Sequence, residues 1–396
     1  MKKLLVVIIY LFAISVSAAV DNLTYQYQSI SIAGRAYQAR IPNGFILEVL
    51  TTKLDRPRLF TFAENGDLFI GSKSGAVYRL PPPYTAVSVL VVLDNYPHSV
   101  AFRQNEILVA RTDGLYHSPY RPGQSQLSKD SFSLLAPLPD SGGHNSRTVA
   151  VGPDGRVYVS LGIAGNCSDQ YLSDSYPAAD QRGGVLVLND NNLNRKPWDV
   201  FASGLRNPVG FDWHPLTRTM YASNNGPDHL GYEIPPEYFS KLEAGSFHGM
   251  PWYQYDGDKI IRDNCISRKP PLPIEQVIRP VVTFPARNAP MGVSFVKPSQ
   301  MNKELEGDAI VALHGSWAKK PDGGYLGDDA TRRAPKLVVV RFDKGRALRA
   351  DDLVTGFQLA DGERWARPVG VGIGPDGHLY FTSDGGINGL FRLRKQ

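Results

Sequence analysis

One theme recurs six times along this chain: a short apolar strand, a turn built on Gly, Asp or Asn, and a second strand rising from it. The copies run Leu59 to Gly71, Ser99 to Ala110, Thr148 to Ser160, Val209 to Ser223, Met291 to Val296 resuming at Gly307 to Leu313, and Val369 to Thr382. Most are followed by a third β-rich strand, as at Gly75 to Leu80, Gly184 to Leu188, Lys336 to Phe342 and Gly389 to Leu393. A unit this small cannot bury its own apolar face, so neighbouring copies must stack. Helical spacing is weak and confined to Pro236 to Ala244. The pattern predicts an all-β fold, a six-bladed β-propeller of four-stranded antiparallel blades, because radial repetition leaves only short, protected sheet edges. The N-terminal strands near Tyr27 to Tyr37 are expected to complete the last blade and close the ring.

The first residues read differently. Lys2 and Lys3 precede the apolar run Leu4 to Val16, and Val16-Ser17-Ala18 offers small residues for cleavage. This predicts a signal peptide over residues 1–19, a single propeller catalytic domain over 20–396, and a periplasmic or secreted protein. No later stretch approaches the ~18 consecutive apolar residues of a spanning helix, so no integral membrane segment is expected in the mature chain. The net charge is +5 with no basic run, which argues against a nucleic-acid partner. The two cysteines, Cys167 and Cys265, can pair in an oxidising compartment or remain two separate buried thiols. Two cysteines do not make a zinc site.

Repeat spacing is uneven, and the surplus falls in Gly162 to Gln181, Asn224 to Asn288 and His314 to Pro335. Long loops on a rigid scaffold usually carry function. In a propeller the innermost strands start near the central channel on one face, so the residues just before each copy converge. Here they are His98, His144 with Arg147, Arg206 with Asn207, Arg287 with Asn288, and Arg367. That cationic, hydrogen-bonding set suits a polyanionic small ligand. His144 follows Gly142 and Gly143, which allow a close backbone approach, and it is the first candidate for a catalytic base.

With these residues in place the chain resembles the glucose/sorbosone dehydrogenase family from about Gly44 to its end. The resemblance rests on Gly143-His-Asn-Ser-Arg-Thr148, Gly204-Leu-Arg-Asn-Pro-Val-Gly210, Asn224-Asn-Gly-Pro-Asp-His-Leu-Gly-Tyr-Glu233, Phe247-His-Gly-Met-Pro-Trp252, Ala289-Pro-Met-Gly-Val293, Leu313-His-Gly-Ser-Trp317 and Arg367-Pro-Val-Gly370. It implies an exported six-bladed propeller that uses pyrroloquinoline quinone (PQQ) and calcium (Ca2+). It also implies a small-molecule sugar, sugar aldehyde or polyol substrate, and an unidentified electron acceptor. By the same resemblance His144 is the general base and Arg206 acts beside it. Arg206, Asn207 and Arg367 bind the quinone, with Arg147 and His314 as further cofactor contacts. The carbonyl oxygens of Gly226 and Pro227 hold the calcium. Such roles suit the residue types: a histidine near neutral pKa takes a hydroxyl proton, fixed cations stabilise growing negative charge, and calcium accepts backbone oxygens.

The chain departs from the soluble glucose dehydrogenase pattern at three places. Val369 stands where that branch has a second arginine. His314 stands where it has a PQQ-binding lysine, with Lys319 and Lys320 nearby in the loop. Ile163 stands where an aspartate follows the base-bearing strand. Its pattern sits closer to the sorbosone-dehydrogenase-like branch. Two alternatives come from other classes: a non-catalytic propeller that binds carbohydrate or protein, and a metal-dependent lactonase, which requires a carboxylate-rich cluster at the channel. Asp228 and Glu233 are candidate calcium ligands or orienters of that loop. Trp317, Trp365 and Tyr325 are candidates for stacking on a sugar ring. The motif around His248 and Trp252 is read as a structural turn.

Overall fold

The computed structural model describes residues 22–140 and 142–396. The expected signal peptide lies outside the described residues. Six sheets of at least four strands are arranged as blades. Blade 1 comprises Pro57–Phe62, Leu68–Ser72, Ala76–Leu80 and Ser88–Val92. Blade 2 comprises Ser99–Arg103, Glu106–Arg111, Gly114–Pro119 and Ser133–Pro137. Blade 3 comprises Arg147–Val151, Val157–Leu161, Gly184–Leu188 and Trp198–Ser203, with Ser246–Phe247 added in parallel at its edge. Blade 4 comprises Phe211–Trp213, Met220–Asn224, Glu237–Leu242 and Val282–Phe284. Blade 5 comprises Pro290–Phe295, Ala309–Leu313, Lys336–Asp343 and Arg346–Val354. Blade 6 comprises Ala366–Ile373, Leu379–Gly386 and Gly389–Lys395, and its fourth strand is Phe45–Thr51 from the other end of the chain.

Ring closure therefore uses a later segment than expected. Tyr25–Ile32 and Arg35–Pro42 form a two-stranded sheet of their own, with a single further bridge from Arg40 to Thr355. Their buried face, Ile30, Ile32, Tyr37, Ala39 and Ile41, packs with Leu353, Phe357 and Trp365, and Tyr37 stacks on Trp365 at 5.1 Å. The stretch with helical spacing is also a strand. Glu237–Leu242 is buried at five of its six residues, between the second and fourth strands of blade 4. Burial on both faces removes the alternation that would have marked it as a strand. Only short 3₁₀ turns are helical among the described residues.

The core is a set of layers between blades, which explains why the repeat is necessary. Val91 and Leu93 from blade 1 meet Val100 and Val109 of blade 2, and Ala110 and Leu115 of blade 2 meet Val149 and Val159 of blade 3. Tyr158 and Val187 of blade 3 meet Phe211 and Ala222 of blade 4, and Phe239 of blade 4 meets Phe295 and Val311 of blade 5. Blades 5 and 6 meet through Val339 and Phe381, and blade 6 meets blade 1 through Tyr380 and Tyr78. Each fully buried Leu, Val or Phe contributes about 1.5–3 kcal/mol. A ring closed by such contacts holds the starts of its six inner strands in fixed relation.

Candidate active site

His144 sits on the loop that leads into the inner strand of blade 3, and three backbone carbonyl groups fix its surroundings. Its Nδ1 lies 2.5 Å from the Ile163 carbonyl oxygen. A carbonyl only accepts, so Nδ1 carries the hydrogen and Nε2 presents a lone pair. Gly143 donates to the Ala164 carbonyl at 2.6 Å, and Ile163 donates to the Arg206 carbonyl at 2.9 Å. Gly142 has φ +93, and a Cβ there would lie 2.2 Å from the Ala164 Cβ. The close approach allowed by Gly142 and Gly143 is thus to the chain's own 162–164 segment. Burial, then the neighbouring Arg206 guanidinium, brings the His144 pKa down to about 4. The imidazole is neutral across the ordinary pH range.

Two arginines support that loop from beneath. Arg147 is fully buried, and its terminal nitrogens donate to the carbonyls of His144, Ser146 and Pro139 at 2.8, 2.8 and 2.6 Å. It presents no surface to a ligand, so it positions the loop and does not join the cofactor contacts expected of it. Arg182, which sequence reasoning missed, is equally buried and donates to the Gly162 and His144 carbonyls at 2.8 and 2.9 Å. Burial lowers Arg147 to about 9, helped by Arg182, and lowers Arg182 to about 10. His98 is buried too, with its Nδ1 2.9 Å from the Arg147 carbonyl oxygen.

Arg206 and Asn207 join His144 at the head of blade 4. Arg206 donates from Nε and Nη2 to the backbone and side-chain oxygens of Asn166, both at 2.9 Å, and Nη2 lies 3.4 Å from Asp228. A Cβ placed on Gly162 would fall 2.6 Å from the Asn207 side-chain oxygen, 2.8 Å from the His144 Cβ and 3.0 Å from the Arg206 carbonyl. The absence of a side chain at Gly162 lets these three residues share one spot. Asn166 precedes Cys167, which is bonded to Cys265 with their Cα atoms 6.2 Å apart. The cysteines therefore pair, and they tie the Arg206 clamp to the long 224–288 insertion. The only His, Cys, Asp and Glu cluster among the described residues is Cys167, Asp263 and Cys265, whose two thiols are consumed by that bond.

The loop expected to hold calcium is already populated. Gly226 donates its N–H to Glu237, a buried carboxyl that burial pushes up to about 7. The Pro227 carbonyl accepts from the Arg287 guanidinium. Glu233 pairs with Arg333 at 2.6 Å and Lys320 at 3.6 Å, which binds it to the blade 5 loop.

Arg367 and His314 form a second cluster, with two members that sequence reasoning missed. Arg367 Nη2 donates to His314 Nδ1 at 2.8 Å. His314 Nε2 then carries the hydrogen and donates to Asp384 at 2.6 Å. Arg58 donates to the other Asp384 oxygen at 2.5 Å. Burial opposes ionisation of Asp384, but His314 and Arg58 outweigh it and hold the carboxyl far below its ordinary range. Burial brings His314 down to about 4 against the pull of Asp384. Both His314 nitrogens are engaged, so it offers no free group where the related branch has lysine. Lys319 pairs with Asp329 instead.

Arg367 also lines a cleft of about 580 Å³ with Trp317, Tyr325, Arg332, Arg364 and Asp329. The Trp317 and Tyr325 rings lie 4.3 Å apart and are 39% and 74% exposed, placing two apolar faces beside three guanidinium groups. Trp365 is core instead, 1% exposed with its indole N–H on the Gly356 carbonyl. His248 and Trp252 are buried, Trp252 among Tyr171, Phe247 and Val277, in agreement with a structural turn. A larger cavity of about 810 Å³ lies where the inner strands end, lined by Phe62, Phe102, Trp213 and Ile373, and contains none of these site residues.

A family model described as TrAA12-like matches residues 39–236 and 273–395. The chain belongs to the TrAA12-like family. Membership agrees with the resemblance seen in the motifs. Among solved structures, a Trichoderma reesei carbohydrate-active enzyme of family AA12 superposes with a TM-score of 0.76 at 17% identity, over 95% of this chain and 100% of that one. The holo PQQ domain of Coprinopsis cinerea pyranose dehydrogenase gives 0.70 at 19% identity, over 90% and 97%. The apo soluble aldose sugar dehydrogenase of Escherichia coli gives 0.62 at 16% identity, over 89% and 100%. These likenesses share the propeller. An uncharacterized protein of Borreliella burgdorferi is 26% identical over 381 residues, 92% of this chain and 93% of that protein. The stretch 237–272, which the TrAA12-like match omits, contains Cys265 and the Tyr253–Tyr255 and Ile260–Arg262 hairpin.

Proposed function

We propose that this TrAA12-like protein is an exported, PQQ-dependent oxidoreductase that oxidises a sugar, sugar aldehyde or polyol, with His144 as general base. The observation that carries the reading is the His144 imidazole. It is neutral, fixed in one tautomer by the Ile163 carbonyl so that Nε2 keeps its lone pair, and the residue lies beside Arg206 and Asn207. The donor set suits PQQ, whose carboxylates require cations. Arg364 and Arg367 pair with no carboxylate among the described residues, and burial followed by Arg367 lowers Arg364 to about 10. An anion in the cleft relieves that repulsion.

When bound, the quinone supplies the hydride acceptor. The chain's own residues do the rest. A substrate hydroxyl donates to His144 Nε2 and loses its proton there as the hydride leaves the same carbon. The Ile163 carbonyl keeps the ring aimed throughout. Arg206, held by Asn166 and Asp228, stabilises negative charge that develops beside it. Trp317 and Tyr325 offer apolar faces to a sugar ring. The Pro227 carbonyl is engaged by Arg287.

The test is reconstitution of purified apo-protein with PQQ, following quinone absorbance and dye reduction across aldoses, sorbosone and polyols. Saturable binding with sugar-dependent reduction, lost in His144→Ala while binding remains, is the expected result. No binding at micromolar PQQ would overturn the reading in favour of a non-catalytic propeller. The lactonase alternative lacks its carboxylate cluster among the described residues.

A further inference from the structure

The Asn224–Pro236 loop folds around a single side chain that comes from another blade. Arg287, at the head of blade 5, has a side chain only 1% exposed. Its Nη1 donates to the Pro227 carbonyl and lies 3.3 Å from Asp228 Oδ1. Its Nη2 meets the carbonyls of Asp228, Gly231 and Ile234, the first and last at 3.0 and 3.1 Å. Four backbone carbonyls and one carboxylate from the eight-residue stretch Pro227 to Ile234 thus converge on one positive charge. Oxygen-only sets of this kind, mixing carbonyl and carboxylate, are what a calcium ion selects. Without a cation at the centre, these convergent lone pairs would repel one another and lose their hydrogen bonds. Arg287 holds φ +71, a left-handed conformation that an arginine adopts only when its surroundings impose it.

We infer that the Arg287 guanidinium is a built-in cation that replaces calcium in this loop, so that the loop forms without metal and excludes calcium at Pro227. A calcium ion at the Pro227 oxygen would sit against the positive charge of the guanidinium, which opposes its binding there. Arg287 and Asp228 also connect this loop to the candidate site. The other Asp228 oxygen lies 3.4 Å from Arg206, and the Asp228 N–H donates at 2.7 Å to the Asn166 oxygen that receives Arg206. Arg287 therefore sets the position of Arg206 through Asp228. This is a positioning role, distinct from contact with substrate.

The experiment uses the full mature chain without quinone, so its outcome is independent of the proposed oxidoreductase activity. Calcium chloride is titrated calorimetrically into wild type and Arg287→Ala, and melting temperatures are measured with millimolar calcium and with EGTA. Wild type is expected to give no calcium heat and the same melting temperature in both. Arg287→Ala is expected to melt lower in EGTA, to recover in calcium more than in magnesium, and to show one calcium site. Arg287→Lys, which keeps a charge, is expected to melt between the two and gain no calcium site. A wild-type calcium site that disappears in Asp228→Asn would overturn the inference. So would a folded Arg287→Ala that ignores calcium. If Arg287→Ala does not fold, wild-type indifference to calcium and EGTA, together with a stable Arg287→Lys, supports the inference, and a calcium-dependent wild type overturns it.

Discussion

Two histidines of the candidate site, one leading into blade 3 and one following the second strand of blade 5, are both brought to about 4 by burial. Their partners separate them. His144 donates one hydrogen bond and keeps Nε2 as a lone pair. His314 accepts from Arg367 and donates to Asp384, so neither nitrogen is left for chemistry. Residue type and pKa are the same for both, and hydrogen-bond inventory alone assigns a base to blade 3 and a strut between blades 5 and 6.

The largest effect that can break this comparison is on turnover. A positioned general base contributes about 10²–10⁴-fold. His144→Ala is expected to lower kcat by about that range and to leave quinone binding intact. His314→Ala is expected to keep turnover once saturated with quinone but to bind it more weakly, because Arg367 loses one of its three acceptors and keeps only the His314 and Gly315 carbonyls. Stopped-flow reduction and equilibrium titration of the two variants measure both quantities. A His314→Ala protein as inactive as His144→Ala at saturating quinone would abolish the distinction.

Stability should split the other way. Asp384 bridges Arg58 and His314, with the Arg58 and Asp384 side chains only 8% and 12% exposed. Removing one partner of a buried ion pair costs about 3–5 kcal/mol. Asp384→Asn is therefore expected to lower stability to denaturant by about that much. Asn166→Ala, on the His144 side, removes one acceptor from Arg206 and exposes it to the Asp228 carboxylate that remains, so a loss of about 1–3 kcal/mol is expected. Denaturant melts that reverse this order would show that the blade 3 side carries the structural load.

The comparison also marks how far the sequence could be read. Head-of-strand position was legible, and it located His144, Arg206, Asn207 and Arg367 at one face of the ring. It does not tell which way a head residue turns, because successive strand residues point to opposite faces. Arg147 occupies the expected position and is fully buried. Arg58 was missed although it follows Pro57 at the head of blade 1, much as Arg206 and Arg367 stand near prolines at theirs. Asp384 was harder still: it lies toward the returning end of a second strand, and nothing local distinguishes it until the fold brings Arg58 and His314 to it. The closing strand was misplaced because three N-terminal segments alternate well enough to pair, and only the geometry of the ring selects Phe45–Thr51.

Two glycines sharpen the contrast at smaller magnitude. Gly162→Ala would set a methyl group against Asn207 and the His144 Cβ, which are anchored from both sides. A misplacement on this scale costs on the order of 10²-fold in kcat at most, and a fall of about tenfold with a retained fold is expected. Gly385→Ala would meet the Arg367 Cδ at 2.8 Å, the middle of a flexible side chain. It is expected to weaken quinone affinity and leave kcat unchanged. Steady-state kinetics against quinone titrations separate the two outcomes.

The smallest effect is on pH dependence, and here the two histidines agree in one measurement and differ in another. Each has a folded pKa of about 4, below the ordinary 6.5. As pH falls from 6.5 toward 4, the unfolded chain takes up protons first, so stability decreases through that window. Glu237, pushed up to about 7 by burial, acts with the opposite sign, but it is common to all variants and cancels in a difference. His144→Gln and His314→Gln are both expected to lose less stability than wild type between pH 6.5 and pH 4. Only His144 should appear in the kinetics. The acid limb of kcat/KM reports the free enzyme and should lie near 4, and binding of an anion beside Arg206 removes part of what depresses the base. The acid limb of kcat should therefore lie higher. Coincident limbs in the two profiles would mean that the anion binds away from Arg206.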